Sequence, residues 1–390
     1  MIDREPWESE EARLFFRAIE RAGEFEASEV IRVLADWLEE QGDVARAEFL
    51  RVEMEWERAA DWEPGKAGLR RRARELEEAH PSWFVALVPP VLDSAFEVKR
   101  SQGMVQGLVN RGWGINAATE WDLWERGLDT LSERMPIRAL TLELFNQTDL
   151  ERLLSWSGWS GLVELEVVGI NARTWARLAE RLRRGFPRLA RLNLGRLNRI
   201  GPAGVHELYR AAPPLASGGT PQPGLLSRLR VLSLFGNRLG GGGLSALTNP
   251  KGGNATVQAE CLETLDLGFN NLKPVDLRSL WSWRSAPRLR RLSLAQNPLQ
   301  AEGGSGLLDA VWLEGLEELD LGGTRLPAAA LADLVASPRL RRLECLRLSN
   351  LQLDANAVQQ VLVGMGDDPP PRLDMSANYL DDDGLECLAS

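Results

Sequence analysis

One spacing constrains this chain more than any other feature. The pattern L-x-x-L-x-L-x-x-N-x-L recurs through its last two-thirds. It is cleanest at Leu229, Leu232, Leu234, Asn237 and Leu239. It returns at Leu262, Leu265, Leu267, Asn270 and Leu272, then at Leu289, Leu292, Leu294, Asn297 and Leu299. Looser copies start at Ile137, Leu162, Leu189, Leu316 and Leu343, and a last one fits Leu373, Met375, Asn378 and Leu380. From Leu262 to Leu343 the starts lie 27 residues apart. A fixed period of this size means stacked units, each of which buries half a core against the next. It also explains how 390 residues fold without one outsized compact core.

Each unit is expected to place x-L-x-L-x on a short parallel strand with both leucines inward. A helix follows, as in Gly243–Leu247 or Leu331–Val335. Strands stack about 4.8 Å apart and helices need roughly 8–10 Å. That mismatch predicts a horseshoe with strands concave and helices convex. The Asn of the repeat has a structural task. It can bond the turn's backbone, where an unpaired buried polar group costs roughly 1–3 kcal/mol. Asn237, Asn270, Asn297 and Asn378 are therefore expected to form a ladder. In three early units the Asn arrives one residue late, at Asn146, Asn171 and Asn198. Thr324 and Leu351 replace it elsewhere. Local bulges or a register shift are expected there.

The strand–turn–helix unit resembles ribonuclease-inhibitor-type leucine-rich repeats over about residues 137–390. The resemblance implies an α/β solenoid of about nine units, preceded by a small all-α domain. Residues 1–90 read as that acidic helical domain, and 91–136 as a connector and N-terminal cap built from a strand and a helix. The strand candidate is Met104–Val109. The helix spans 116–135 and carries Trp121, Leu123, Trp124, Leu128 and Leu131. Within the first domain, Leu14, Phe15, Ala18 and Ile19 form one apolar stripe. Val30, Val33, Leu34, Trp37 and Leu38 form another at helical spacing. Asp43 is a candidate N-cap. The segment from Ala35 to Asp43, followed by Ala45–Arg51, resembles a repeat-companion domain found beside leucine-rich repeats in planctomycete-type bacterial proteins. That resemblance implies architecture and no activity. Asp36, Trp37 and Glu40 could dock a partner, or serve as core and caps within the domain.

Net charge is −10, and residues 1–100 carry most of it, with 15 Lys+Arg against 24 Asp+Glu. The repeats are nearly neutral. No nucleic-acid partner is expected, since phosphate binding needs clustered positive charge. Met1–Glu5 lacks a basic stretch leading into an apolar one, so no signal peptide is expected. No run approaches the roughly 20 apolar residues that span a bilayer, and no membrane partner is expected. Three isolated cysteines, Cys261, Cys345 and Cys387, suit a reducing compartment, so a cytoplasmic location is expected.

Chemistry is sparse. His80 and His206 have no Cys or His at ligand spacing, so neither metal nor cofactor is expected. Gly240–Gly243 lacks the Lys-Ser/Thr of a phosphate loop. Binding features are richer. The central position of successive strands holds Thr141, Glu166, Asn193, Ser233, Asp266, Ser293, Asp320, Arg347 and Asp374. Phe235 and Phe269 follow the inward leucines, where a small residue would serve as well. Arg191, Arg196, Arg290 and Arg291 add positive points. Glu166, Arg191, Phe235, Asp266, Phe269, Arg291, Asp320 and Arg347 are the expected contacts of a protein partner on the concave face. Trp281 and Trp283 lie two apart on an expected helix, so both cannot face the core equally, and one should be partly exposed on the convex side or packed against a neighbouring helix. Residues 211–224 and 249–258 read as surface loops, and Pro213, Ser217, Gly218 and Gly219 mark a possible cleavage segment. The last unit should cover itself with Leu385 and Leu388, or be covered by another chain within a larger complex.

The leading functional reading is a non-catalytic recognition scaffold. A second is a regulatory subunit, inhibitor or proteolytic substrate of a specific protease or nuclease in a bacterial defence or signalling system. A third is an enzyme with a cryptic site.

Overall fold

The computed structural model describes residues 6–22, 24–59, 63–81, 83, 89, 92, 96–102, 104–110, 117–143, 150, 152–196, 198–210, 224–249, 259–366 and 369–379. The chain divides into two compact units, Met1–Leu165 and Glu166–Ser390. Asn146, the segment Pro213–Gly219, Cys387 and the expected terminal cover at Leu385 and Leu388 lie outside the described residues.

The first unit opens with four helices: α1 (Glu10–Arg21), α2 (Glu24–Glu40), α3 (Val44–Arg58) and α4 (Lys66–Ala79). Ser9 caps α1 by accepting the Ala12 N–H, and Asp43 caps α3 by accepting the Arg46 N–H. The period of α1 is helical, but its buried stripe is Ala12, Phe16 and Ile19, and Leu14 is 62% exposed. In α2 the inward face is Ile31, Leu34, Ala35 and Leu38, while Val33 points to solvent. Ile19, Leu34 and Leu38 of the expected stripes are thus buried, but the rest of each buried face lies on the other flank, at Phe16, Ile31 and Ala35, and not at Leu14 or Val33. A step of one residue turns a helix by about 100°, so period alone leaves such neighbours undecided.

Arg46 sits in this core, its guanidinium 4.8 Å from the Trp7 ring centre and 5.1 Å from that of Trp83. Asp43 pairs with it at 3.6 Å. A buried cation is tolerated only when paired and faced by electron-rich rings. Strands β1 (Glu97–Ser101) and β2 (Met104–Asn110) then form an antiparallel hairpin, with Val98 opposite Leu108. Helix α5 (Ala117–Arg134) buries Trp124, Leu128 and Leu131, and leaves Leu123 exposed. Strand β3 (Ala139–Glu143) runs parallel to β2, with Leu108 opposite Leu140. The buried Arg138 guanidinium donates to the carbonyls of Ile19 and Ala22, closing the C-terminus of α1. Strand β4 (Glu164–Val168) straddles the division between the units.

The second unit is the repeat stack. Strands β5 (Arg191–Asn193), β6 (Val231–Ser233), β7 (Thr264–Asp266), β8 (Arg291–Ser293), β9 (Glu318–Asp320), β10 (Cys345–Arg347) and β11 (Arg372–Asp374) pair in parallel, in chain order. Leu192, Leu232, Leu265, Leu292, Leu319, Leu346 and Leu373 stand opposite one another in register. Helices α6 (Ala172–Gly185), α7 (Gly201–Tyr209), α8 (Gly240–Thr248), α9 (Arg278–Trp281), α10 (Gln300–Leu307), α11 (Ala328–Val335) and α12 (Ala355–Met365) connect them.

The buried asparagines bond from unit to unit. Asn270 donates to the carbonyls of Leu234 and Leu267, and Asn297 to those of Leu267 and Leu294. Asn237 donates to Leu194, and Asn378, half-buried, to Leu348. In return Asn270 Oδ1 accepts the N–H of Asn237, and Asn297 Oδ1 accepts those of Asn270 and Leu272. The late Asn198 joins the same pattern, accepting from the Ile170 N–H. Asn171 does not. It is exposed and caps α6 through the N–H groups of Arg173 and Thr174. Thr324 is fully buried and reaches only its own turn, at the Leu321 carbonyl.

Trp281 and Trp283 are both buried, so neither is the partly exposed one of the two alternatives. The reason is that α9 has four residues and stops at Trp281. Trp283 lies beyond its end and turns inward independently, while Trp281 packs beside Trp312 at 5.8 Å.

Candidate functional site

The solvent face of the second unit's sheet is built by strand alternation. Three side-chain rows result, one on each side of the inward leucines and one between them. The first row is Arg191, Val231, Thr264, Arg291, Glu318, Cys345 and Arg372, in register. The central row is Asn193, Ser233, Asp266, Ser293, Asp320, Arg347 and Asp374. Beyond the second leucine come Gly195, Phe235, Gly268, Ala295, Gly322, Ser349 and Ser376.

The central row does structural work that its composition did not announce. Asp266 Oδ1 accepts the Gly268 N–H at 2.9 Å, and Asp320 Oδ1 accepts the Gly322 N–H at 3.0 Å. Asn193 and Asp374 bond Gly195 and Ser376 in the same way. These are Asx turns, which end each strand where the chain must bend. The recurring Asp-Leu-Gly and Asn-Leu-Gly triplets are the sequence signal for them. Ser233 donates to the other oxygen of Asp266 at 3.0 Å. Burial nonetheless pushes the Asp266 carboxyl up, against those hydrogen bonds.

Glu318 is the centre of the first row. Arg291 reaches it at 3.1 Å, Arg372 at 3.5 Å and Arg347 at 3.6 Å. Arg290, just before the strand, pairs with Glu317 at 3.0 Å. Glu166 accepts from the Asn193 amide at 3.1 Å and lies 3.7 Å from Arg196. Arg191 is half-buried at the start of β5. The eight expected contact residues thus all occupy the sheet and its exits, but Glu318, which joins three strands, was not among them.

The two phenylalanines differ. Phe235 is half-buried over a trough of glycines. A Cβ on Gly268 would come within 2.8 Å of its ring, and one on Gly195 within 3.3 Å of its own Cβ. Phe269 stacks on it with centroids 6.0 Å apart and is 61% exposed. Its φ is +54°, in the left-handed region. The equivalent turn positions are left-handed in the other units too, as Gly236 and Gly323 and as Arg196, Gln296, Asn350 and Ala377. A non-glycine residue there costs of order 1–2 kcal/mol.

Elsewhere the chemistry is structural. His80 stacks on Trp83 at 4.5 Å, and His206 is exposed on α7. Cys261 and Cys345 are unbridged, and burial pushes the Cys345 thiol up, which blunts its nucleophilicity. Among the described residues no group of three or more His, Cys, Asp and Glu could hold a metal, and no helix is long and apolar enough to cross a membrane. Trp37 is half-buried against Phe15 at 5.6 Å, while Asp36 and Glu39 both pair with Arg51.

The family model described as Leucine Rich repeat matches residues 227–247 and 258–280, the segments that carry the Phe pair. The second unit has the fold of a leucine-rich-repeat solenoid. Among solved structures the chain is similar to one from the Rad7 and Elc1 complex in yeast, at 15% identity and TM-score 0.42. That match covers 90% of this chain and 92% of the other. A Bacteroides fragilis protein matches at 12% identity and TM-score 0.41, covering 63% and 67%. An internalin from Listeria monocytogenes matches at 15% and 0.33, covering 78% and 97%. No curated protein matches the chain.

Proposed function

We propose that this chain is a non-catalytic recognition scaffold that binds a protein partner on the exposed face of the leucine-rich-repeat sheet. One observation carries the reading. A large aromatic side chain is held 61% exposed and stacked on a second ring, at a turn position that Arg196, Gly236, Gln296, Gly323, Asn350 and Ala377 fill in the other units. A large apolar ring left in solvent where small or polar residues serve the other units adds little to the core and suits an interface anchor. Stacking on Phe235 fixes the ring in advance, which lowers the ordering cost of association. Glu166, Arg191, Phe235, Asp266, Phe269, Arg291, Asp320 and Arg347 supply the contacts, and no cofactor takes part. The helices that alternate with the strands favour the ribonuclease-inhibitor type of repeat, and the capped helix pair α2–α3 favours the companion-domain reading of residues 1–90.

The test is recovery of partners from the source cells with the native chain and with Phe235→Ala/Phe269→Ala. The proposal expects partners that the double variant loses while keeping native circular dichroism. Equal recovery by both forms would sink the assignment to this face.

A further inference from the structure

We infer that the partner brings an acidic segment with an apolar anchor to the strand-exit edge of the sheet. This rests on the recognition reading and deepens it by naming the partner's chemistry. The turns that leave β5 to β11 span residues 195–200, 235–239, 268–272, 295–299, 322–326, 349–353 and 376–379. Together they hold Arg196, Arg199, Arg238 and Arg325, and no Asp or Glu. All four arginines are exposed. Arg196 leans on Glu166, while Arg199, Arg238 and Arg325 have no carboxylate partner among the described residues.

The sheet rows behave differently. Asp266, Asp320 and Asp374 each spend an oxygen on a backbone N–H. Glu318 is ringed by three arginines, and Arg347 stands between Asp320 and Asp374 in register. Taken together, the first and central rows of β5 to β11 hold four arginines, Arg191, Arg291, Arg347 and Arg372, against four carboxylates, Asp266, Glu318, Asp320 and Asp374, so the charge of the rows balances. The unmatched charge lies at the edge and is positive, although the whole chain is at −10. The acidic central row read from the sequence would suggest a basic partner, and the structure reverses that sign.

The apolar anchor point lies on the same edge. The Phe269 ring leans toward the preceding unit, within 3.9 Å of where a Cβ on Gly236 would stand, two residues before Arg238. Arg238, Asn271, Pro298 and Arg325 hold equivalent places in successive units. Adjacent strands are about 4.8 Å apart, so these places run over roughly 15 Å, the reach of about five extended residues. Phe235 already covers one face of Phe269, leaving a ring face and edge for one large apolar side chain. A nucleic-acid strand fits less well. Its backbone needs continuous positive charge, but the units of Phe269 and Gln296 present no arginine at the edge and the carboxylate row runs beside it.

The test is random-peptide display on the full chain, followed by anisotropy of the enriched peptides and of a labelled twenty-nucleotide oligo-dT. Enriched peptides should carry Asp or Glu clusters beside Phe, Leu or Ile. Arg199→Asn/Arg238→Asn/Arg325→Asn places a residue that tolerates the positive φ of Arg238 and Arg325 and should weaken them at least tenfold. Phe269→Gly should weaken them roughly tenfold, the effect of one interface anchor. Winners without net negative charge, or winners indifferent to the arginine variant, overturn the inference. If Phe235→Ala/Phe269→Ala still abolishes such winners, the recognition face survives and only the partner's charge was wrong. Winners indifferent to both variants overturn both readings. Absence of any enriched peptide, or tighter binding of oligo-dT than of any peptide, overturns the acidic-segment inference.

Discussion

Single residues show where this sheet is built for stability and where it is not. Phe269 pays backbone strain of order 1–2 kcal/mol for its left-handed φ, and its stack on Phe235 returns about 0.5–1.5 kcal/mol. The two nearly cancel. Phe269→Gly is therefore expected to leave the thermal midpoint unchanged or slightly higher; a drop of more than a few degrees would show the ring to be structural. Asp266 makes the opposite point. Its folded-state carboxyl is held above the ordinary value by burial, so ionisation opposes folding. Stability from this group is full below the unfolded value, about 3.9, and is lost as pH rises through the raised folded value. Asp266→Asn can still accept the Gly268 N–H, as Asn193 does for Gly195. The variant should match the parent at low pH and gain on it as pH rises toward neutrality. Melting curves across that range check the sign, and a gap that widened toward acid would refute it.

At the scale of elements, the repeat was legible because two periods coincide in it. The inward leucines at i and i+2 specify a strand, and the Asn three residues after the second leucine closes the turn. Both follow from local chemistry, so Leu265, Leu267 and Asn270 could be placed from the letters alone. The helices of the first unit were legible in period and only partly in phase, with Ile19, Leu34 and Leu38 placed inward correctly. Val33 is apolar and adjacent to buried Leu34, and only packing decides which of two adjacent residues turns inward. The Glu318 hub was not legible, because Arg291, Arg347 and Arg372 lie 27 to 54 residues from it and meet only through register. The Asx turns were visible as triplets, yet composition alone made Asp266 and Asp320 look like free charge. Asn297 tests the ladder as an element. Its Oδ1 satisfies the buried N–H groups of Asn270 and Leu272, and each orphaned group costs roughly 1–3 kcal/mol. Asn297→Leu should destabilise by about 2–5 kcal/mol in chemical denaturation. The same change at half-buried Asn378 should cost less, since water can replace part of what is lost. Equal costs at both positions would contradict the ladder account.

The whole molecule carries its charge in one segment and its periodicity in another. Residues 1–100 hold −9 of the net −10, so the repeats are balanced overall. A balanced array can still present charge locally, and here the balance is struck within the strand rows while the turns remain basic. That distribution makes binding at the edge sensitive to salt, and leaves the stability of the stack to its leucines. Those leucines are shared property. Leu292 is buried between Leu265 on β7 and Leu319 on β9 in the strand register, so a charge placed there faces the cores of two neighbours as well as its own. Burying an unpaired carboxylate costs far more than any one unit can supply. A stack of this kind is stabilised mainly by its nearest-neighbour interfaces. Leu292→Asp should therefore remove hydrogen-exchange protection from β6 through β10 together, rather than from β8 alone. Loss confined to β8, or a melting midpoint equal to the parent's, would mean that the units fold independently and that the shared core is not what joins them.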